Sequence, residues 1–412
     1  MPIEIRPIVA DELEAWIDVM HVAFHANGPV AAAAAWRREV GIAYERTLAA
    51  LDDGHIVGTY ETYAAELTLP GNACVRTDAI TSVTVLPTHH RRGVLTRMIS
   101  QDLATARARG DAAAILLASE YPIYGRFGFG PATQRAEYTI DPAQVRFTRP
   151  ATRRVELVSR QRMRQVAPAM FDAFRQGYPG QISRADDLLW DARVGLRQSP
   201  YGPQDRVVRC VLSLADNGQP DGYLLFRMED VRQPYRPGGL VEVAELIAQS
   251  PDAYLSLCRF VCELDLIGEI RLANRRTREP LAWLLDNPRT AMQLGRLTDF
   301  LWVRPLDVPA LLSTRHYSAE GSLVLELDDP LGLAGGRYRL DASVESGSSC
   351  RSTSESAEIR MGISALGALC LGGVSARDLH AAGLVQAESP RGLTQIERLF
   401  EWPIEPWCST FF

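Results

Sequence analysis

Apolar and polar residues along the chain change rhythm several times, and each change predicts an element. Ile3 to Ile8 reads as a short strand, and Asp11 to Phe24 as a helix. Helical spacing continues from Arg37 to Glu45 after Trp36. Arg46 to Leu51 and Ile56 to Leu69 read as antiparallel strands around Asp52-Asp-Gly-His55, whose Asp-Gly is a hairpin turn. Val83 to Leu86 is a β-branched strand ended by Pro87, because proline has no N–H to give to a ladder. Thr88 to Arg92 is a polar loop, and Gly93 opens a helix running to about Arg109. Ala113 to Ala118 is an apolar run suited to a buried strand, and Gln134 to Ile140 is expected to close this first domain near residue 148.

Phe147 to Arg154, with Pro150, reads as a linker into a second domain. Gln161 to Arg175 and Asp186 to Arg193 are expected to be helical, and Val207 to Leu214 and Tyr223 to Met228 to be paired strands. Leu240 to Ala248 is a further strand and Ala253 to Asp265 a helix. This order repeats that of the first domain, although the sequences differ. Where the first copy has Arg91-Arg-Gly93, the second has Gln249-Ser-Pro-Asp252, without glycine or arginine. From Trp302 a third unit follows. It has a helix at Val308 to Leu312, strands at Gly321 to Leu327, Arg337 to Val344 and Glu358 to Met361, and a polar turn from Ser346 to Ser356. An apolar segment, Gly362 to Cys370, and a helix, Ala376 to Ala381, come next. The run Leu366 to Leu371 with Gly372-Gly373 could line a tunnel, but core packing is the stronger reading.

The 412 residues suffice for two to three domains, and 46% hydrophobic with 23% charged residues is a globular composition. A net charge of −6 argues against general binding to nucleic acid or anionic membrane. All 44 basic residues are arginine, for which GC-rich codon usage is the ordinary cause. The chain therefore carries no side-chain amine that could become a nucleophile at neutral pH. Seven scattered cysteines without a Cys-x-x-Cys read as free thiols, and Cys258 and Cys262 as one helix face rather than a zinc pair. No metal site is expected. The start, Met1-Pro-Ile-Glu-Ile-Arg, lacks the apolar stretch of a signal peptide, and Ala31 to Ala35 is too short to span a membrane. The expectation is a cytoplasmic protein.

Chemistry concentrates in two segments. In Val83-Thr-Val-Leu-Pro-Thr-His-His-Arg-Arg-Gly-Val-Leu-Thr-Arg-Met98 a strand leads through a basic turn to a glycine at a helix N-terminus. Free backbone N–H groups and the helix dipole there suit an anion, Gly93 lets a phosphate come close, and Arg91 and Arg92 add charge. The plain alternative is a surface loop with two solvated arginines. The second segment, Ile115-Leu-Leu-Ala-Ser-Glu-Tyr-Pro-Ile-Tyr-Gly-Arg-Phe-Gly-Phe-Gly-Pro-Ala-Thr133, sets four aromatics among glycines.

Together these segments resemble the GCN5-related N-acetyltransferase (GNAT) fold. Pro-Thr-His-x-Arg-Arg-Gly followed by Ser-Glu-x-x-Ile-Tyr-Gly-Arg-Phe-Gly-[aromatic]-Gly-Pro-Ala-Thr is similar more narrowly to the Eis family of actinobacterial N-acetyltransferases, over the whole chain. The resemblance implies an α+β chain: an active GNAT domain (1–148), a degenerate GNAT-like domain that binds no CoA (149–298), and a sterol-carrier-protein-like domain (299–412). It implies acetyl-CoA as cosubstrate, held by Val83, Thr84, Val85, Arg91, Arg92, Gly93, Val94, Leu95, Thr96, Ser119 and Glu120, with a backbone N–H of the first cofactor strand, Val85, polarising the thioester. For the acid it favours Tyr124; the residues alone leave Tyr121 open. A phenol of pKa about 10 is protonated at neutral pH and suits a leaving thiolate. As base the resemblance implies the α-carboxylate of the last residue, Phe412; the two segments themselves contain one carboxylate, Glu120. An α-carboxyl of pKa about 3.5 is a weak base unless burial raises it. Trp36, His25 and Phe411 are the implied acceptor contacts. Family members described as acetylating aminoglycosides carry acids where this chain has Ala26 and Phe411, which points to weaker binding of polycations. The expected activity is direct acetyl transfer to a small-molecule amine in a homo-oligomer, a hexamer by resemblance. Alternatives are a protein-lysine, peptide or polyamine acetyltransferase, and a CoA- or lipid-binding protein without turnover.

Overall fold

The computed structural model describes residues 3–184, 187–200, 207–229, 238–345 and 347–412. The chain forms two compact units, one of Met1–Thr133, Tyr178–Ser183 and Asp299–Phe412, the other of Gln134–Gly177 and Arg184–Thr298.

The first unit is built on a seven-stranded sheet. Its strands begin with β1 (Glu4–Pro7), β2 (Thr47–Asp52), β3 (His55–Thr68), β4 (Cys74–Val85) and β5 (Ala113–Leu117) side by side. Leu301–Pro305 and then β6 (Gly130–Pro131) complete it. The β2–β3 hairpin turns through Asp53 and Gly54, both at positive φ (49° and 78°), the requirement of its Asp-Gly turn. Strand β4 starts at Cys74, well before the expected Val83. Helices α1 (Leu13–Phe24) and α2 (Val30–Val40) pack over Ala49 and Leu51. The neighbouring residues Leu48 and Ala50 point to the other face, under α3 (Val94–Ala108). Helix α2 thus starts at Val30 and stops at Gly41 (φ 91°), short of the expected Glu45.

Two strands lie elsewhere than the domain order read from the sequence suggests, and one boundary between the compact units falls at 133/134. Gln134–Ile140 does not close the first sheet. It pairs with Ile267–Arg275 in the second unit, Ile270 opposite Ile140. Leu301–Pro305, expected to open the third domain, pairs with β5 and β6 instead. The physical reason is the burial each strand needs. Every residue of Leu301–Pro305 is buried, as a central strand requires, whereas Gln134–Ile140 buries only alternate residues, Ala136, Tyr138 and Ile140.

The remainder of the first unit is a five-stranded sheet, ordered Ser349–Ser352, Gly336–Ala342, Gly321–Asp328, Ile359–Gly362, Val385–Ala387. The expected polar turn from Ser346 to Ser356 therefore contains a strand; Ser346 itself lies outside the described residues. The apolar segment is a helix, Ile363–Leu369, and its glycine joins it to the first sheet. Gly130 and Gly367 bring β6, Val303 and this helix into backbone contact with no room for a Cβ on either glycine. Beside this seam Arg304 and Asp329 form a fully buried ion pair at 2.6 Å, and Arg304 Nε donates to the Phe127 carbonyl at 3.2 Å. Gly372 is buried against Trp402, while Gly373 is exposed and lies against the Pro406 ring.

In the second unit the sheet runs Met292–Asp299, Gln134–Ile140, Ile267–Arg275, Gly239–Ala248, Pro220–Glu229, Arg209–Leu214, Arg154–Val158. Helices Arg160–Gln176, Asp187–Arg193 and Pro251–Cys262 accompany it; Asp186, the expected start of the second, lies outside the described residues. Gly239–Ala248 and Ile267–Arg275 are parallel, with Pro251–Cys262 between them in sequence, which repeats β4, α3 and β5. Cys258 and Cys262 lie buried on that helix. Among the described residues no helix is long and apolar enough to cross a membrane.

Candidate active site

The site begins with an interrupted sheet. Parallel β4 and β5 pair from Thr77 opposite Ala113 to Ile80 opposite Leu116, and no further. From Thr81 onward β4 keeps only β3 as neighbour, so one edge of Ser82–Val85 is open. The opening is shaped by a bulge: Glu61 faces Thr81 and Thr59 faces Thr84, leaving Ser82 and Val83 opposite Tyr60 alone. Ser82 sits at φ 53°, a left-handed conformation that serine adopts at a cost. The Leu86 N–H donates to Val57 of β3 at 2.8 Å. Strand alternation then turns the preceding N–H, that of Val85, to the open edge.

Behind this edge lies the basic loop. Arg91 (φ 62°) and Gly93 (φ 74°) both hold left-handed backbone, and Gly93 starts α3 with no side chain capping its N–H groups. The first turn of α3, at Val94, Leu95 and Thr96, is therefore a set of free backbone donors at the positive end of a helix dipole. The matching helix of the second unit differs. Ser250 caps Pro251–Cys262 by accepting from the Ala253 N–H at 3.1 Å. Of the two arginines, Arg91 is exposed, whereas Arg92 pairs with Asp52 at 3.0 Å. His89 Nε2 reaches the same carboxylate oxygen at 3.1 Å, and His90 Nε2 meets the Val85 carbonyl at 3.0 Å. Both histidines are loop-holding residues.

Past β5, Ser119 and Glu120 are exposed and α4 (Tyr121–Tyr124) carries the two candidate acids to different places. Tyr121 is 61% exposed, its ring edge-on to Trp302 at 4.9 Å. Tyr124 is 5% exposed and packs with Phe129, Ile80, Leu116 and Met98. Burial raises the Tyr124 phenol above its ordinary pKa, a hydrogen bond with Ser119 opposes this, and the Glu120 charge adds to it. The group is protonated at neutral pH, as an acid must be.

The chain end is tied down. The Trp407 N–H donates to Pro179 at 2.9 Å and Ser409 Oγ to Gln181 at 2.8 Å. Phe412 packs edge-on to Tyr63 of β3 at 5.8 Å, within the cluster of Ala79 and Ile115. Tyr124 belongs with Ala114 and Leu116, the alternate residues of β5. Tyr124 and Phe412 thus lie on opposite faces of the sheet. Phe411 is 72% exposed. Trp36 is buried in α2, and His25 is exposed at the end of α1 (φ 55°), where it terminates the helix. Val83, Val85, Leu95 and Ile123 are partly buried against the core cluster that contains Tyr124.

Two groups escaped the sequence reading. Arg37, Glu61 and Ser82 form a hydrogen-bonded triangle at the bulge. Below the sheet Asp78 and Asp102 face each other, both buried, with Tyr60 donating to Asp102 at 2.9 Å. Nothing local signals either group, since their members lie 18 or more residues apart. Among the described residues no group of three or more His, Cys, Asp or Glu is arranged to hold a metal ion.

Residues 4–132 and 180–304 each match an acetyltransferase (GNAT) domain family, and 308–409 match the sterol carrier protein domain. An uncharacterised N-acetyltransferase of Streptomyces avermitilis is 36% identical, over 100% of this chain and 99% of its own length. The N-acetyltransferase Eis of Mycobacterium tuberculosis is 34% identical, over 84% of this chain and 83% of its own. The crystal structure of Eis1 from Mycobacterium abscessus superposes with a TM-score of 0.86 at 29% identity, over 99% of this chain and 100% of that one.

Proposed function

Because the chain belongs to the Eis family of GNAT N-acetyltransferases, we propose that it transfers acetyl from acetyl-CoA directly to the primary amine of a small molecule, with both bound at once. The observation that carries this reading is the open edge of β4 between an uncapped helix N-terminus and a buried, protonated tyrosine. Acetyl-CoA lays its pyrophosphate on the Arg91–Thr96 N–H groups and runs along Val83–Val85, with Ser119 and Glu120 at the far lip. The Val85 N–H stabilises the oxyanion. The amine, entering past Trp36 with His25 and Phe411 at the rim, gives a proton to the Phe412 α-carboxylate and attacks the thioester carbon. The C–N bond forms, the C–S bond breaks, and the Tyr124 proton goes to sulfur. Assembly as a homo-oligomer, a hexamer by family likeness, and a cytoplasmic setting belong to the same proposal.

The acceptor is a smaller or more apolar amine than an aminoglycoside. Ala26 and Phe411 supply no charge, and Val22, Phe24 and Phe411 expose apolar surface. The test is thiol release from acetyl-CoA against monoamines, polyamines, peptides and kanamycin-class aminoglycosides. Monoamines or peptides should turn over fastest. Aminoglycosides outrunning all of them would reverse the substrate assignment, and a peptide lysine outrunning free amines would favour a protein acceptor.

A further inference from the structure

Ser82 holds a backbone conformation that its own chemistry disfavours, in the strand that aims Val85 at the open edge. Something must fix it, and three side chains converge there. Glu61, across the bulge on β3, accepts from the Ser82 hydroxyl at 3.1 Å and from Arg37 Nη1 at 2.6 Å on the same oxygen, Oε2. Arg37 Nη2 also donates to the Ser82 hydroxyl, at 3.2 Å. On the carbonyl side, the Thr59 hydroxyl donates to Ser82 O at 2.7 Å. The Arg37–Glu61 pair is largely shielded, 15% and 17% exposed, and Arg37 lies over the Trp16 ring at 5.0 Å. A shielded charged pair with a shared hydroxyl is a stiff support.

We propose that Arg37 and Glu61 are positioning residues for catalysis: through the Ser82 hydroxyl they hold the bulge in its left-handed form, and so hold the Val85 N–H at the thioester oxygen. The proposal rests on the acetyl-transfer reading of this edge. It also explains why the clamp spans two elements. Arg37 follows Trp36 on α2, the acceptor-side helix, while Ser82 is on the cofactor strand. A shift of α2 is therefore felt at the oxyanion donor.

Glycine separates this role from substrate binding, because it takes positive φ without cost. Glu61→Gln should keep acetyl-CoA affinity by calorimetry and thermal stability, yet lower kcat about tenfold or more, with little change in either KM. Adding Ser82→Gly should recover most of that loss. As a check that leaves the ion pair intact, Ser82→Gly should stay about tenfold more active than Ser82→Ala, which keeps the strain and loses the clamp. In a crystal structure of Glu61→Gln, Ser82 should leave the left-handed region. An unchanged kcat in Glu61→Gln would overturn the proposal, as would a loss confined to the acceptor KM and untouched by Ser82→Gly, equal activity of the two Ser82 variants, or a positive φ at Ser82 in Glu61→Gln. These outcomes are distinct from failure of acetyl transfer itself, which would show as no amine-dependent thiol release by the unaltered enzyme, and the crystallographic measurement is independent of turnover.

Discussion

Two side chains in the core of the first sheet show how burial selects a protonation state. Tyr124 keeps its proton because its surroundings disfavour the phenolate. Tyr124→Phe removes only the hydroxyl, so acetyl-CoA binding should persist while kcat falls on the order of 100-fold or more. Tyr121→Phe should be nearly neutral by comparison, and the reverse pattern would make the exposed tyrosine the acid. Asp102 illustrates the same physics in a carboxyl. Burial first, and then the charge of Asp78, pushes its pKa up to about 8. Asp78 is kept the charged partner by Arg46 at 2.8 Å and Arg109 at 2.7 Å, both on Oδ1. Asp78 also accepts from the Thr62 hydroxyl and from Asp102, which must carry a proton to donate. Asp102 in the unfolded chain ionises at about 3.9. The folded pKa is the higher one, so the stabilisation tied to this proton is complete below about pH 4 and is lost as pH rises toward about 8. Asn at this position donates at every pH. Asp102→Asn should therefore gain melting temperature over the unaltered protein, and gain more at pH 8 than at pH 5. A difference independent of pH would show that no proton is shared there.

At the scale of elements, the basic loop divides its labour between neighbouring arginines. Arg92 already has a carboxylate partner in Asp52, while Arg91 is exposed beside the free N–H groups of α3. Arg91→Ala should therefore weaken acetyl-CoA binding more than Arg92→Ala, and should flatten its salt dependence more, since an exposed ion contact is screened. Equal effects in calorimetry at low and high salt would return both arginines to the same role. This loop was legible in the sequence because one residue, Gly93, sets it locally, and the Tyr124 turn was legible through the motif around it. The bulge was not, because serine carries no signal for positive φ and its supports come from Arg37 and Glu61, 45 and 21 positions away. Nor was the destination of Gln134–Ile140 or Leu301–Pro305. Gln134–Ile140 read correctly as a strand and Trp302–Pro305 only as the start of the third unit, because partner choice depends on which sheet offers burial on one face or on two. The backbone seam of Gly130 and Gly367 was hidden for a like reason: a glycine in a motif announces close approach without naming what approaches.

For the whole molecule, the consequence of that seam is that the first GNAT domain and the sterol-carrier-like domain share one compact unit, with the chain end among their residues. The last residues are not frayed: Trp407 and Cys408 are buried, Ser409 is bonded to Gln181, and Phe412 lies against Tyr63. Such anchoring suits a terminal group with a chemical task, and the α-carboxylate of Phe412 is the base of the proposed reaction. Its chemistry depends on being the last group of the chain. One Gly added after Phe412 converts that carboxylate into a neutral amide and moves the charge by about 3.5 Å. Displacement on that scale can cost on the order of 100-fold in rate. Deleting Phe412 withdraws the group in the opposite direction and removes the ring from Tyr63. Trp407 and Ser409 anchor the segment independently, so both variants should melt close to the unaltered protein and bind acetyl-CoA with similar affinity. Both should nevertheless release thiol slowly with every amine. Full turnover by a chain extended at its C-terminus would exclude the α-carboxylate as base, and Glu120, at the lip of the opening, would then be the carboxylate to replace next.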